Sequence, residues 1–237
     1  MTDRRNPSDV RVLVACEESQ TVCCAFRKRG FEAYSCDIQE CSGGHPEWHI
    51  KRDVTEVLGD DWDLVIAHPP CTYMSKAGAR WMYPKAGCVS SARLEKAMKA
   101  KEFFMMFYNL PNRFVAIENP LPLKIVGLPP PTQTVQPYEY GDPYSKRTLL
   151  WLKGLPPLRP TKVLTEYTPW MPSNTGGYSR GEGGSRGIAH DAKTASKTFP
   201  GIANAMASQW GDFVITLNRD GWVPTVKNND VKKGKKK

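Results

Sequence analysis

Leu64-Val65-Ile66-Ala67, followed at once by His68-Pro69-Pro70-Cys71, reads as a strand running into a hard stop. Four consecutive apolar residues without alternation point to a strand buried on both faces, as in a parallel sheet. The same pattern recurs on either side. Arg11–Ala15, Phe31–Cys36 and Phe114–Ile117 are short apolar runs. Helical stretches separate them. Gln20–Arg29 is closed by Gly30. In Ser90–Leu110, with Ser90 or Ser91 as cap, Leu94, Ala97, Met98, Phe104 and Phe107 recur at helical spacing and read as core packing. Strands alternating with helices predict an α/β fold, a doubly wound Rossmann-like sheet with crossover helices.

In such sheets ligands bind beyond the carboxyl ends of the strands. Each predicted strand here ends in a polar cluster: Cys16-Glu17-Glu18-Ser19, Asp37, His68 to Cys71, and Glu118-Asn119. That pattern points to an enzyme. Proline fixes its own φ and restrains the residue before it, so Cys71 is held at the sheet's edge. Its thiol is a candidate nucleophile, or else a small buried hydrophobe. Glu118, on the adjacent predicted strand, can face the same substrate. Tyr140 to Arg147 leads into a strand-like run, Thr148 to Leu152, and brings Lys146 and Arg147 toward the same rim.

The second half differs in composition. Residues 121–172 are proline-rich, and 173–186 are rich in glycine and serine and read as a mobile loop. Thr198–Leu217 reads as a final helix entered through Phe199-Pro200-Gly201. The resulting organisation is a cofactor-binding and catalytic domain over 1–152, a small Pro/Gly-rich appended region over 153–195, a closing helix within 196–226 and a basic tail over 227–237.

The composition narrows the class. The chain has 237 residues, 40% hydrophobic and 24% charged, enough for one large domain or a domain plus a small subdomain. No apolar run approaches the ~20 residues of a membrane-spanning helix. The opening MTDRRNPSDV has no apolar core of a secretory signal, so a cytoplasmic protein with no membrane partner is expected. Seven cysteines in that setting read as thiols rather than a disulfide framework. Of the net charge of +9, six lysines and one aspartate in Lys227 to Lys237 supply +5. This tail is either a solubilising end or a sequence-blind phosphate contact.

In this order the motifs resemble the cytosine 5-methyltransferase family, whose members move a methyl group from S-adenosylmethionine to carbon 5 of cytosine, usually in DNA. The likeness runs from about Val12 to Trp210. It places a methyltransferase sheet here. It implies a cofactor turn at Ala15, Cys16, Glu17, Glu18 and Ser19, with Glu17 or Glu18 on the methionine amino group; a surface turn opening a helix is the alternative. Asp37 with Ile38 would hold the ribose hydroxyls, and Asp53 with Val54 would lie near the adenine. His68 and Pro69 would border the cofactor, and Lys197 to Asn204 (KTFPGIAN) would complete its pocket, with Asn204 as a contact.

The resemblance also assigns the chemistry. Cys71 would add as a thiolate to carbon 6 of cytosine, which makes carbon 5 nucleophilic toward the methyl group. That role implies a thiol pKa lowered by nearby positive charge. Glu118 would protonate or hydrogen-bond ring nitrogen 3 and the exocyclic amine. Asn119 would order the loop, and Arg147 or Lys146 would hold the base or a neighbouring phosphate. A duplex substrate would have to flip its cytosine out, at a few kcal/mol. No metal is implied.

Three features depart from the family. The first turn lacks its glycines, Lys146 and Arg147 are adjacent rather than separated by one residue, and no target-recognition domain fits into 153–195. DNA, duplex or single-stranded, would then be read at a very short site, with minimal specificity or through a partner; Arg180, Arg186 and Lys193 are solvated loop charges or else phosphate grips. Such a compact enzyme suits DNA modification by a phage or mobile element. Other readings are the same chemistry on free deoxycytidine nucleotides, an inactive nucleic-acid-binding relative, zinc at Cys36, Cys41, His45 and His49, and a hydrolase pairing Cys71 with His190. The segment from Gly43 to Trp48 is a loop over the cofactor with Trp48 near the adenine, or a structural loop.

Overall fold

The run Leu64–Ala67 forms a central strand with all four residues buried, because it pairs on both edges and is covered on both faces. In the computed structural model, which describes residues 4–170 and 192–217, it is β4 of a seven-stranded sheet. The other members are β1 (Arg11–Ala15), β2 (Glu32–Asp37), β3 (His49–Lys51), β5 (Phe114–Pro120), β6 (Gln133–Val135) and β8 (Thr148–Lys153). Their order is β3-β2-β1-β4-β5-β8-β6. The five strands from β3 to β5 are mutually parallel, and β8 runs antiparallel to both β5 and β6. Strands β7 (Tyr144–Ser145) and β9 (Thr168–Pro169) form a separate parallel pair.

Helices cover both faces, which is why the strands are apolar without alternation. On one face, α1 (Thr21–Arg27) packs with a terminal helical run over Val12, Val14, Leu64, Ile66 and Ala116. That run is α5 (Pro200–Ala205), a π-helical stretch over Met206–Trp210, and α6 (Gly211–Ile215). Trp210 is fully buried and donates its indole N–H to the Pro156 carbonyl at 2.9 Å. On the other face, α3 (Ser91–Tyr108), capped by Ser90, sets Ala97, Phe104 and Phe107 over Leu13, Val65 and Ile117. The short α2 (Ala79–Met82) precedes it, and α4 (Ala192–Ser196) precedes α5. The whole is a mixed α/β fold with a mostly parallel sheet, compatible with a Rossmann-like architecture. Among the described residues no helix is long and apolar enough to cross a membrane.

Two departures from the sequence pattern matter for function. β5 does not stop at Ile117. It continues to Pro120 because β8 keeps pairing with it through Glu118↔Leu150, Asn119↔Leu149 and Pro120↔Thr148. Glu118 and Asn119 therefore lie inside a strand rather than beyond its end. The closing helix also docks directly on the Tyr140-Gly141-Asp142 turn. The Gly201 N–H donates to Asp142 Oδ2 at 2.8 Å, and a Cβ on Gly201 would strike the Tyr140 carbonyl and come within 2.6 Å of Asp142. Gly201→Ala is expected to destabilise the fold by about 1–3 kcal/mol, read as a lower urea midpoint at unchanged slope.

Candidate active site

The order of the strands makes the crevice. Successive strands run from β1 toward β3 on one side and from β4 through β5 on the other, so a cleft opens at the carboxyl ends of β1 and β4. Register then selects what faces it. The last β4–β5 pair is Ala67↔Ile117, so the next residues, His68 and Glu118, lie side by side. Their side chains meet, with His68 Nδ1 3.1 Å from Glu118 Oε2 and only 11% and 9% of each exposed. The His68 N–H donates to the Ala15 carbonyl at 2.9 Å, which ties this turn to the end of β1. Asn119 points to the opposite face of the strand and donates to the buried Pro69 carbonyl at 2.8 Å, pinning the Pro-Pro turn.

Cys71 follows that turn, partly buried. Its carbonyl accepts the N–H groups of Met74 and Ser75 at 3.0 and 2.9 Å, so the backbone holds the loop, while the Ser75 side chain also bonds the thiol. Lys146 reaches the same mouth. Its ammonium donates to the Lys197 carbonyl at 3.4 Å and sits 5.8 Å over the Phe199 ring. Cys71, His68, Glu118 and Lys146 are electrostatically coupled.

The charges in this cluster set one another. Burial alone would raise the Glu118 pKa, but the His68 hydrogen bond and the Lys146 charge outweigh it and hold the carboxyl below its usual range. Burial alone would lower His68, but Glu118 and then Glu17 lift it above its usual value. Each member of the pair thus favours the charged form of the other. Cys71 departs from expectation. Burial and the Glu118 charge push its thiol up, and Lys146 only partly offsets them. The nucleophile candidate is held protonated while Glu118 is ionised.

The opposite wall of the crevice is the first turn and the ends of β2 and β3. Cys16 and Gln20 adopt positive φ, 59° and 58°, the left-handed backbone usually given to glycine. The turn therefore has a glycine-like path without glycines. Glu17 is neither a surface residue nor open to a ligand's amino group. It is buried, and its carboxylate accepts the Val22 and Cys23 N–H groups at 2.6 and 3.1 Å, capping α1 from inside. Glu18 offers its carbonyl to the Ser42 N–H, and Ser19 bonds Thr21 through their hydroxyls. Gln20 clamps the His45 backbone with both ends of its amide, at 2.8 and 3.1 Å, so the Gly43-Gly44-His45 loop folds over this turn. A Cβ on Gly43 would lie 2.5 Å from that of Gln20, so the close approach requires glycine.

Beyond the turn, Asp37 ends β2, and Ile38 beside it is 71% exposed. Asp53 caps the next helical turn by accepting from Thr55, which holds its carboxyl below the usual range, and Val54 is buried beneath. Burial and then the charge of Asp37 push the Cys16 thiol far up, so it is not a nucleophile. Asp37 and Asp53 both act on the Cys16 thiol and so lie along this wall, and carboxylates there suit a ligand with vicinal hydroxyls, which is what a nucleoside presents.

Other candidates fall elsewhere. Arg147 is exposed and lines a groove of about 750 Å³ with Leu123, Pro129 and Tyr138, so Lys146 rather than Arg147 joins the Cys71–Glu118 cluster. Asn204 is exposed on α5, opposite the buried Ile202, Ala203 and Ala205. His49 uses both ring nitrogens on Ser35 and the Gln39 carbonyl, and His45 contacts Glu47. Among the described residues no three His, Cys, Asp or Glu gather to hold a metal, so Cys36, Cys41, His45 and His49 form no zinc site there. Trp48 stacks on His45 at 4.0 Å and lies under Arg27, which gives it a packing role. Arg180, Arg186, His190, the Lys193 side chain and the Lys227 to Lys237 tail lie outside the described residues. The pairing of His68 with Glu118 was missed in the sequence, although two in-register parallel strands would have announced it.

No protein-family model matches this chain, and no curated protein matches it either. The fold and site by themselves define a mostly parallel α/β protein with a thiol, a carboxylate–imidazole pair and an ammonium group at its crevice.

Proposed function

We propose that this protein transfers a methyl group from S-adenosylmethionine to carbon 5 of cytosine in DNA, through a covalent adduct with Cys71. The observation that carries this reading is the convergence of Cys71, Glu118 and Lys146 from three separate chain segments on one mouth, with His68 bonded to the carboxylate. Asp37, Ile38 and Asp53 would hold the nucleoside end of S-adenosylmethionine, which supplies the methyl group.

The cluster explains how a protonated thiol becomes reactive only with substrate. When a cytosine meets Glu118, the His68 proton crosses the 3.1 Å contact to Glu118 and passes on to ring nitrogen 3, leaving a neutral imidazole, a carboxylate and a cytosine protonated at nitrogen 3. Protonation at nitrogen 3 makes carbon 6 electrophilic, and the Glu118 carboxylate can then accept the thiol proton, which neutralises the charge that opposes thiolate formation. The Cys71 proton passes to Glu118 as the sulfur bonds carbon 6, and the ring double-bond electrons shift into a carbon 4–carbon 5 enamine that makes carbon 5 nucleophilic. Lys146 stabilises the negative charge that passes through the site. After methyl transfer, the carbon 5 proton leaves to water as the thiolate is expelled and the ring restored; Glu118 returns the thiol proton to Cys71, and nitrogen 3 returns its proton to His68.

The test is nucleoside mass spectrometry after incubation with deuterated-methyl S-adenosylmethionine and, in parallel, duplex DNA, single-stranded DNA or deoxycytidine nucleotides. Labelled 5-methylcytosine in DNA is the expected result. Label only in free nucleotide would move the substrate, and no label in any arm would overturn the reading.

A further inference from the structure

The segment between Cys71 and α3 carries a surface that the chemistry above does not use. From Cys71 to Lys99 the chain has six cations, Lys76, Arg80, Lys85, Arg93, Lys96 and Lys99, against one carboxylate, Glu95. That carboxylate is already matched with Lys99 at 2.9 Å. This segment and the Lys227 to Lys237 tail together account for more than the whole net charge of +9, so the rest of the chain is nearly neutral. The positive charge of the folded body is thus concentrated beside the crevice, the electrostatic footprint of a polyanion.

Aromatic rings are interleaved with these cations. Trp81 is 50% exposed and Tyr83 40%, although most large apolar side chains in this protein are buried. The Arg80 guanidinium lies 3.9 Å over the Trp81 ring, Arg93 lies 4.7 Å over Tyr73 and 5.4 Å over Trp81, and Lys96 lies 5.5 Å over Tyr73. The rings are thereby held in place rather than left to swing. The patch is also tied to the nucleophile's loop. Arg93 donates to the carbonyl of Thr72, next to Cys71, at 2.6 Å. Gly78 leaves room for it, since a Cβ there would come within 2.7 Å of the guanidinium.

We propose that this face, formed by Tyr73, Arg80, Trp81, Arg93 and Lys96, seats an unpaired DNA strand, with bases that flank the target stacked on Trp81 and Tyr73. Stacking requires a base face, and a duplex hides its faces inside its own stack. A single strand offers them without the few kcal/mol that unstacking costs. The cations meet the backbone phosphates on either side. This deepens the proposed methyl transfer by naming single-stranded DNA as its substrate form, and it rests on that reading only for the role of the bound strand.

Fluorescence anisotropy of the full chain with a labelled 20-nucleotide thymidine strand, and with the matching 20-base-pair duplex, tests it. Because the thymidine strand has no target base, the result is independent of catalysis. The single strand is expected to bind at least tenfold tighter than the duplex. Trp81→Ala should weaken single-strand binding about tenfold, Trp81→Phe should restore most of it, and Arg80→Gln should flatten the salt dependence by roughly one phosphate contact. Trp81 is exposed, so an unchanged circular dichroism melt should accompany each variant. Equal binding of duplex and single strand, or single-strand affinity within twofold of wild type in both Trp81→Ala and Tyr73→Ala, would overturn the proposal. So would tighter binding of the matching RNA strand. Stacking that persists in a protein without methyl transfer would remove the catalytic reading and leave this surface standing.

Discussion

Cys71→Ala is expected to reduce formation of labelled 5-methylcytosine by about 10⁴-fold or more, the scale on which loss of a covalent nucleophile acts. The fold should survive. The loop is held by the Cys71 carbonyl and by the Asn119 bond to Pro69, neither of which uses the sulfur. Binding of S-adenosylmethionine, measured by calorimetry, should stay within a few-fold of wild type, because Asp37, Ile38 and Asp53 lie on the other wall. A variant that keeps its turnover would remove Cys71 from the mechanism. The environment of the thiol adds a second readout. Burial and the Glu118 charge hold it protonated, so iodoacetamide should alkylate it slowly near neutral pH. Glu118→Gln takes away that charge and should speed alkylation while slowing methyl transfer by about 10²–10⁴-fold. A purely structural glutamate would not move these two rates in opposite directions.

Breaking the His68–Glu118 pair should destabilise the fold strongly. Both side chains are nearly buried, and removing one partner of such a pair typically costs about 3–5 kcal/mol, because the other is left desolvated and alone. His68→Ala is therefore expected to lower the urea midpoint strongly. The loss should depend on pH in a defined window. Glu118 is held below its ordinary value of about 4.3, so its contribution is present above that pH and fades as acid protonates it. His68 is lifted above its ordinary value of about 6.5, so its contribution is full below that pH and fades as alkali removes its proton. The wild-type advantage over His68→Ala should peak between roughly pH 4.3 and 6.5 and shrink on both sides. Glu17 and Lys146 also act on this pair, so parallel curves for Glu17→Gln and Lys146→Met separate their shares. An advantage that is flat with pH would mean that His68 acts by packing alone.

The elements read from the sequence were those whose pattern is local and continuous. β1 and β4 begin and end where their apolar runs do, since a strand covered on both faces must be apolar throughout. A cap at Ser90 or Ser91 was legible because a hydroxyl before a helical run serves the orphan N–H groups, and the structure selects Ser90. β3 and β6, of three residues each, left no such trace; partners in space hold them as strands. Glu17 shows the same limit within the site. An acid at a helix start suits the helix dipole in any sequence, but only the folded turn aims it inward to cap α1.

The sequence by itself determined the α/β alternation, the polar clusters at the ends of β1, β2 and β4, and a thiol and a carboxylate on two successive strand-and-turn segments. All of these follow from residue types a few positions apart. Tertiary structure alone decided that β5 runs on through Glu118, that His68 faces Glu118, that Lys146 rather than Arg147 joins them, and that Tyr73, Trp81 and Arg93 share a surface. Each of these depends on strand register or on side chains distant in sequence, and register is set by pairing across the sheet rather than by any one segment.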